Sequence, residues 1–109
     1  MRLVWVSRHE LNEKNKEILS KAFGHYEVYQ YKDTVNNVSE LIEFADSVDA
    51  DAYVVVLPIN LIADLIKADN RPIYRFIVNR ILKDDGSVEF VPVGLEKIVK
   101  VELVTEKVV

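Results

Sequence analysis

The sequence predicts an α/β fold, because short hydrophobic runs alternate with segments whose apolar residues recur at helical spacing. The runs Arg2–Val6 and Ala52–Leu57 are almost continuously apolar, which is typical of parallel strands that are buried on both faces. The chain has only three glycines and three prolines, and we find no linker or repeat in it. With 109 residues, one domain over residues 1–109 is expected.

The N-terminal half predicts two strand–helix units. After the first strand, Arg2–Val6, we predict a helix over Asn12–Phe23, with Asn12 as its N-cap and Gly24 just past its end. A second strand is predicted over Tyr26–Tyr31, because this run is rich in aromatic residues. Its alternating tyrosines indicate an edge strand, where they serve packing or a subunit contact.

A second helix is predicted over Val38–Val48, where Asn37 and Glu40 have the spacing of a capping box. The third strand, Ala52–Leu57, is the most hydrophobic and is expected at the centre of the sheet. Pro58 suits the first turn of a third helix. The residues of that helix expected to face inward are Leu61, Ile62, Leu65 and Ile66.

The C-terminal third is predicted to add antiparallel strands. Ile73–Leu82 is compatible with a helix or a strand, and we favour a strand because Asp84–Ser87 is typical of a hairpin turn leading into Val88–Val93. A last strand is predicted over Ile98–Thr105. The expected architecture is a Rossmann-like three-layer sandwich, whose mainly parallel sheet has an antiparallel C-terminal extension and right-handed crossovers.

Composition excludes several functional classes. The net charge is −4, from 14 basic and 18 acidic residues, which argues against duplex nucleic acid as a partner. No apolar run reaches the roughly 20 residues that span a bilayer, so we expect no membrane partner and a cytoplasmic protein. Cysteine is absent, which excludes disulfides. Neither a metal-ligand spacing nor a glycine-rich phosphate loop is found, so no metal or cofactor is expected.

Polar side chains follow the predicted strands where each one ends. Ser7, Arg8 and His9 follow the first strand, Thr34 follows the second, and Pro58 and Asn60 follow the third. The carboxyl ends of parallel strands share one edge of a sheet, and ligands of open α/β sheets bind in the crevice there. We therefore predict a ligand site that contains these residues.

Each of these residues has a functional and a plain structural interpretation. His9 suits proton transfer or a phosphate contact, or is an exposed loop histidine with a local hydrogen bond. Arg8 clamps a phosphate, or forms a surface ion pair with Glu10. Ser7 is a ligand donor or a turn residue. Asn60 is suited to an anion at a helix N-terminus, or simply faces solvent.

The segment Val4–His9, followed by a helix, and Val54–Pro58, running into another helix, resemble a known family. They are similar to small standalone CRISPR-accessory proteins of type III systems that are related to ring nucleases. The resemblance covers roughly residues 3–68, and Ser7–Asn12 is also similar to the Ser-His-x-Leu-Thr opening of a sister group. Members of the arginine–histidine group often have Pro-Gly after the histidine. Here Glu10 and Leu11 follow it, which leaves the size of the ligand open.

The resemblance implies a cyclic oligoadenylate ligand and its metal-independent cleavage, in which the 2′-hydroxyl of the ring attacks the adjacent phosphate. His9 is then the acid/base or charge-stabilising residue, and Arg8 and the backbone around Ser7 bind phosphate with help from Asn60. The symmetry of the ring implies a two-fold homodimer. Two other functions stay open: a nucleotide-binding sensor or sponge that does not cleave, and a structural or interaction protein.

Overall fold

The computed structural model describes residues 1–102 and 105–109, which contain five strands and three helices. They are β1 (Arg2–Val6), α1 (Glu13–Phe23), β2 (Glu27–Tyr31), α2 (Val38–Ser47), β3 (Ala52–Val55), α3 (Ile59–Ala68), β4 (Ile73–Leu82) and β5 (Val88–Ile98). The sheet order is β2-β1-β3-β4-β5, with β5 antiparallel to β4 and the other pairs parallel. The Rossmann-like α/β prediction is therefore confirmed. No helix among the described residues is long and apolar enough to cross a membrane.

The sheet lies between two hydrophobic layers. Successive side chains of β1 point to opposite faces, so Leu3 and Trp5 pack with α1, and Val4 and Val6 pack with α2 and α3. All four are at most 5 % exposed. Burying a large apolar side chain contributes about 1.5–3 kcal/mol, so this double burial stabilises the central strands strongly. The predicted edge position of β2 and central position of β3 are both confirmed.

The helix starts differ in detail from the sequence prediction. Asn12 caps α1 as expected, and it forms a reciprocal capping box with Asn15. The Asn12 side chain accepts from the backbone N–H of Asn15 at 2.8 Å, and the Asn15 side chain accepts from the backbone N–H of Asn12 at 3.1 Å. At α2, the Asn37 side chain accepts from the N–H of Ser39 rather than sharing a box with Glu40. Pro58 is the N-cap of α3, one residue before its first turn, because its backbone is extended.

The C-terminal third contains two strands where three were expected. Ile73–Leu82 is a strand, as predicted, but β5 continues past Val93 to Ile98 because a bulge at Ile77/Val78 lets its pairing with β4 resume. The predicted strand Ile98–Thr105 is wrong over residues 99–102 and at residue 105, which have no regular structure. The pairing edge of β4 ends at Ile73 opposite Ile98, so no partner strand is left for them. Residues 103–104 of that prediction lie outside the described residues.

The β4–β5 hairpin extends beyond the body of the sheet. Strand β4 pairs with β3 only through Ile73 and Tyr74, whereas its pairing with β5 continues to Leu82. Because β4 runs parallel to β3, the hairpin projects past the carboxyl ends of the parallel strands. We call residues 75–94 the arm. Several large hydrophobic side chains on the arm are exposed: Ile77, Val78, Ile81, Leu82, Phe90 and Val93.

At the amino ends of the parallel strands, a charged network joins β3 to the helical layer. The Tyr53 hydroxyl donates to Asp69 Oδ2 at 2.5 Å, and Arg71 donates to the same oxygen at 2.7 Å. Arg71 also donates to Asp46 Oδ1 at 2.6 Å and to the carbonyl of Ala50 at 2.8 Å. The Asp69 and Arg71 side chains are only 10 % and 21 % exposed, so their charges are largely shielded from water.

The network shifts the pKa values of its members. Burial, together with the hydrogen bond to Asp69, raises the pKa of Tyr53. Burial by itself raises the pKa of Asp69, but the hydrogen bonds from Tyr53 and Arg71 outweigh it, so the pKa is lowered overall. The hydrogen bond to Asp46 raises the pKa of Arg71, ahead of its contacts with Asp69. The network is therefore most stable with Asp69 ionised.

We predict that Asp69→Asn lowers the free energy of unfolding by about 3 kcal/mol, because it leaves the charge of Arg71 without its more buried partner. Urea denaturation at pH 7 measures this. The matched control is Glu96→Gln, which removes an exposed ion pair with Arg75 (43 % and 54 % exposed). The control should change stability by no more than about 1 kcal/mol. Equal effects of the two variants would show that the network is no more stabilising than a surface pair.

The pH dependence follows from the direction of the Asp69 shift. Its folded pKa lies below the ordinary value of 3.8, so its contribution to stability is present above that value and is lost as the pH falls through the folded pKa. The difference in stability between the parent and Asp69→Asn should therefore be constant near neutrality and shrink on acidification. A difference that grows towards low pH would contradict the assignment.

Candidate functional site

A crevice opens at the carboxyl edge of the sheet, between the ends of β1 and β3. From β1 the chain crosses through α1 to β2 on one side, and from β2 it crosses through α2 to β3 on the other. Ligands of open α/β sheets bind at such a switch point. The crevice has a volume of about 340 Å³. Its lining comes from three loops and the start of α3: Val6, Ser7, Arg8, His9, Asp33, Thr34, Val35, Val56, Leu57, Pro58 and Leu61.

The backbone of the Ser7–His9 loop is held by four hydrogen bonds. The Ser7 hydroxyl accepts from the N–H of His9 at 3.1 Å, which closes the turn. Gln30 on β2 donates to the carbonyls of Ser7 and His9, at 3.0 and 2.9 Å. The Trp5 indole donates to the same His9 carbonyl at 2.8 Å. The loop is therefore anchored to two adjacent strands, which fixes the positions from which Arg8 and His9 emerge.

Arg8 supplies the positive charge of the crevice. Its guanidinium donates to the hydroxyl of Thr34, so the loops after β1 and β2 meet. The alternative ion pair of Arg8 with Glu10 is not formed. Glu10 pairs with Lys32 instead, with 3.9 Å between Glu10 Oε1 and Lys32 Nζ. Within residues 1–102 and 105–109, Arg8 forms no ion pair, and Asp33 is the one acidic residue in the lining. The charge of Arg8 is thus still available to an anionic ligand.

His9 is exposed at the rim of the crevice. Its backbone N–H and carbonyl take part in the loop, but its imidazole makes no hydrogen bond within the part of the chain that the structure describes. The side chain is therefore placed by its backbone and not oriented by a neighbour. Its ring can reach either the crevice or the apolar cleft on the other side of the loop.

Five of the six predicted site residues line the crevice: Ser7, Arg8, His9, Thr34 and Pro58. Asn60 does not, although it is exposed in the first turn of α3. One helical residue corresponds to about 100° of rotation, so Leu61 faces the crevice and Asn60 points elsewhere. The predicted role of Asn60 in ligand binding therefore has no support from the geometry.

Sequence reasoning missed two residues that build the site. Gln30 was not singled out, although an amide between two tyrosines in a strand is a visible signal for a buried polar contact. Trp5 belongs to the strand Arg2–Val6, which was predicted to be buried on both faces, and it also holds the loop through its indole N–H. Neither contact follows from sequence spacing, because both depend on which strands are adjacent in the sheet.

A second, larger cleft of about 690 Å³ lies on the far side of the Ser7–His9 loop, where the arm separates from β3. Its walls are largely apolar and include Trp5, Phe76, Phe90 and Pro92. It shares Ser7, His9, Val56 and Leu57 with the crevice, so the loop forms a wall between the two. The sequence did not predict this cleft, because it depends on the direction in which the hairpin leaves the sheet.

No group of three or more histidine or acidic side chains in the described ranges is arranged to hold a metal ion. Comparisons of the chain with protein-family models, curated proteins and solved structures found no match.

We predict that Gln30→Glu loosens the Ser7–His9 loop. The carboxylate is isosteric but donates no hydrogen bond, and it faces two carbonyl oxygens. Each lost bond weakens local stability by about 1 kcal/mol, so the amide of His9 should exchange its hydrogen roughly 10-fold or more faster. Exchange followed by NMR measures this. Tyr29→Phe on the same strand, which loses only an exposed bond to Glu27, is the control. Unchanged exchange in Gln30→Glu would show that Gln30 does not hold the loop.

Proposed function

We propose that this protein is a metal-independent ring nuclease, which degrades the cyclic oligoadenylate messengers of type III CRISPR immunity in the cytoplasm. The observation that carries the proposal is the placement of Arg8 and His9, side by side on an anchored loop at the switch point of the sheet. Arg8 offers a guanidinium with no ion-pair partner among the described residues, and His9 offers an imidazole, the side chain most often used in general acid–base catalysis.

The chemistry that these residues support is an internal transesterification. The 2′-oxygen of one ribose forms a bond to the adjacent phosphorus, and the bond from phosphorus to the 5′-oxygen breaks, which leaves a 2′,3′-cyclic phosphate. The 2′-hydroxyl loses a proton and the departing 5′-oxygen gains one, so no other reactant is consumed. His9 serves one of these proton transfers, and Arg8 stabilises charge on the phosphoryl oxygens.

The crevice is also suited to binding the cyclic oligoadenylate. Arg8 bonded to Thr34 presents a cation and a hydroxyl within one wall, and the backbone of Ser7–His9 is already fixed, so little ordering accompanies binding. The overall charge of −4 opposes long-range attraction of nucleic acid. A small ligand held by local contacts is therefore favoured over a duplex. A ring with rotational symmetry is matched by two such crevices in a two-fold homodimer.

One observation favours a second candidate function, capture of the nucleotide without cleavage. The imidazole of His9 has no hydrogen-bond partner to orient it within the described chain, whereas a general base is usually positioned by a further group. A sensor or sponge needs only the cation of Arg8 and the anchored loop. The two functions differ in turnover and not in the location of the site.

The decisive experiment is incubation with cyclic tetra-adenylate in excess EDTA, followed by analysis of the products. We predict cleavage by the parent protein under these conditions. His9→Ala should slow cleavage by roughly 10²–10⁴-fold with little change in affinity, since it removes proton transfer. Arg8→Ala should mainly weaken binding, because a hydrogen bond to a charged group contributes about 1.5–3 kcal/mol.

The control is His25→Ala, which removes the only other histidine, in the turn after α1 and away from the crevice. It should cleave and bind like the parent. Binding without cleavage by the parent would favour capture. A strict requirement for added Mg²⁺ or Mn²⁺ would overturn the mechanism. Parent-like behaviour of both loop variants would place the active site elsewhere.

A further inference from the structure

The two edges of the arm are unlike each other. The outer edge belongs to β5, which carries Pro92 and the bulge at Val93, and both features discourage pairing with a further strand. The other edge belongs to β4, which has no neighbour on that side beyond Tyr74 among the described residues. From Arg75 to Leu82 this edge contains neither proline nor glycine. It is a free strand edge suited to pairing.

The free edge is flanked by exposed hydrophobic side chains. On β4, Val78 is 48 % exposed and Leu82, near the tip, is 74 % exposed. The paired register places both on the face of the arm that also carries Phe76 and Phe90. The base of this face forms a wall of the 690 Å³ apolar cleft. The arm therefore combines a protruding apolar tip with an apolar cleft at its root.

We propose that two copies of the chain associate through the arm, with their β4 edges paired antiparallel about a two-fold axis at Val78. The second copy is the occupant that the geometry favours, because it necessarily carries the same free edge, the same protruding tip and the same cleft. The axis at Val78 pairs the central residues of β4 and places Leu82 of each arm at the cleft of the other copy. The interface is thus self-complementary, as a two-fold interface has to be.

The charges on β4 favour this register over a shift of the axis by one residue in either direction. With the axis at Val78, Arg80 lies opposite Phe76 of the partner subunit, a cation–aromatic pair, and no like charges are opposed. An axis at Asn79 places Arg75 opposite Lys83 of the partner subunit, which is repulsive. In every register the pairing has to end at Tyr74 of the partner subunit, whose other side is taken by β3, and there the tip turns into the cleft. With the axis at Val78 the residue at this point is the apolar Leu82, whereas an axis at Ile77 brings the charged Arg80 there. Arg80 forms no ion pair within its own described chain, so it is available for this contact.

Edge pairing alone is too small an interface. The five central residues of β4 extend about 16 Å, whereas a stable dimer buries about 800 Å² per partner. The two contacts of a tip with a cleft, one at each end of the paired strands, supply the remaining area. They also cover the apolar surface of Leu82 and Phe90, which is otherwise exposed to water.

The proposed interface turns the two crevices towards each other. The register of β1, β3 and β4 places Val6 and Val55 level with Arg75, three residues from the axis. At about 3.3 Å per residue, the carboxyl edges of the two copies then face each other across roughly 20 Å. One ligand with several phosphates bridges two Ser7–His9 loops in that arrangement. This last consequence rests on the proposed function, whereas the interface itself does not.

The test uses the absence of cysteine from the natural chain. Opposed residues on the axis of an antiparallel pair have a Cα separation that a disulfide accepts. Val78→Cys should therefore form a covalent dimer rapidly on mild oxidation, without any ligand. The matched control is Val93→Cys, which is 52 % exposed on the other strand of the same arm. It should cross-link only slowly, through random collision.

Light scattering supplies the second measurement. The parent should have twice the chain mass of 12.5 kDa, Val78→Lys should have the mass of one chain, and Val93→Lys should remain a dimer. Circular dichroism checks that the exposed substitutions leave the fold intact. A monomeric parent at high concentration, or equal cross-linking of the two cysteine variants, would overturn the proposal. Both measurements are made without nucleotide, so they test the interface independently of the proposed function. A dimer here, together with no cleavage of cyclic tetra-adenylate in the separate incubation, would count against the proposed function alone.

Discussion

The central constraint in this molecule is the complete burial of β1. The strand has a parallel neighbour on each side and a helical layer on each face, so nothing between Leu3 and Val6 reaches solvent freely. The chain leaves this enclosed position in one step, at Ser7. The last cross-strand bond, from the N–H of Val56 to the carbonyl of Val6 at 2.9 Å, holds the end of β3 at the same level. The loops that follow both strands therefore meet in one crevice.

The two arginines Arg8 and Arg71 show how the fold assigns different roles to one residue type. Arg71 lies at the amino edge of the sheet, bonded to two carboxylates and a carbonyl, so its charge is fully used within the protein. Arg8 lies at the carboxyl edge, bonded to a neutral hydroxyl. A cation without a carboxylate partner contributes little to the stability of the fold. On a fixed loop it is well placed to bind an anionic ligand. This difference is the strongest physical reason to look for a ligand at the carboxyl edge.

The sequence predicts most of the fold because hydrophobic periodicity reports burial, and the convergence of Ser7 and Pro58 follows from the rule for parallel strands. What it misses depends on pairing between distant residues. The anchoring by Gln30 requires knowledge that β2 is next to β1. The length of β5 depends on the bulge opposite Ile77, and the displacement of Asn60 from the crevice depends on the phase of one helical turn. Local patterns do not encode such features.

The location of the ligand site is tested most directly by NMR with a 2′-O-methyl analogue of cyclic tetra-adenylate, which lacks the attacking hydroxyl and therefore stays intact. Titration into the isotopically labelled protein reports every amide that the ligand approaches. We predict the largest shifts in the three loops at the carboxyl edge, at residues 7–9, 33–35 and 56–58. Shifts confined to the amino edge, around Tyr53 and Asp69, or no shifts at saturating ligand, would contradict this prediction.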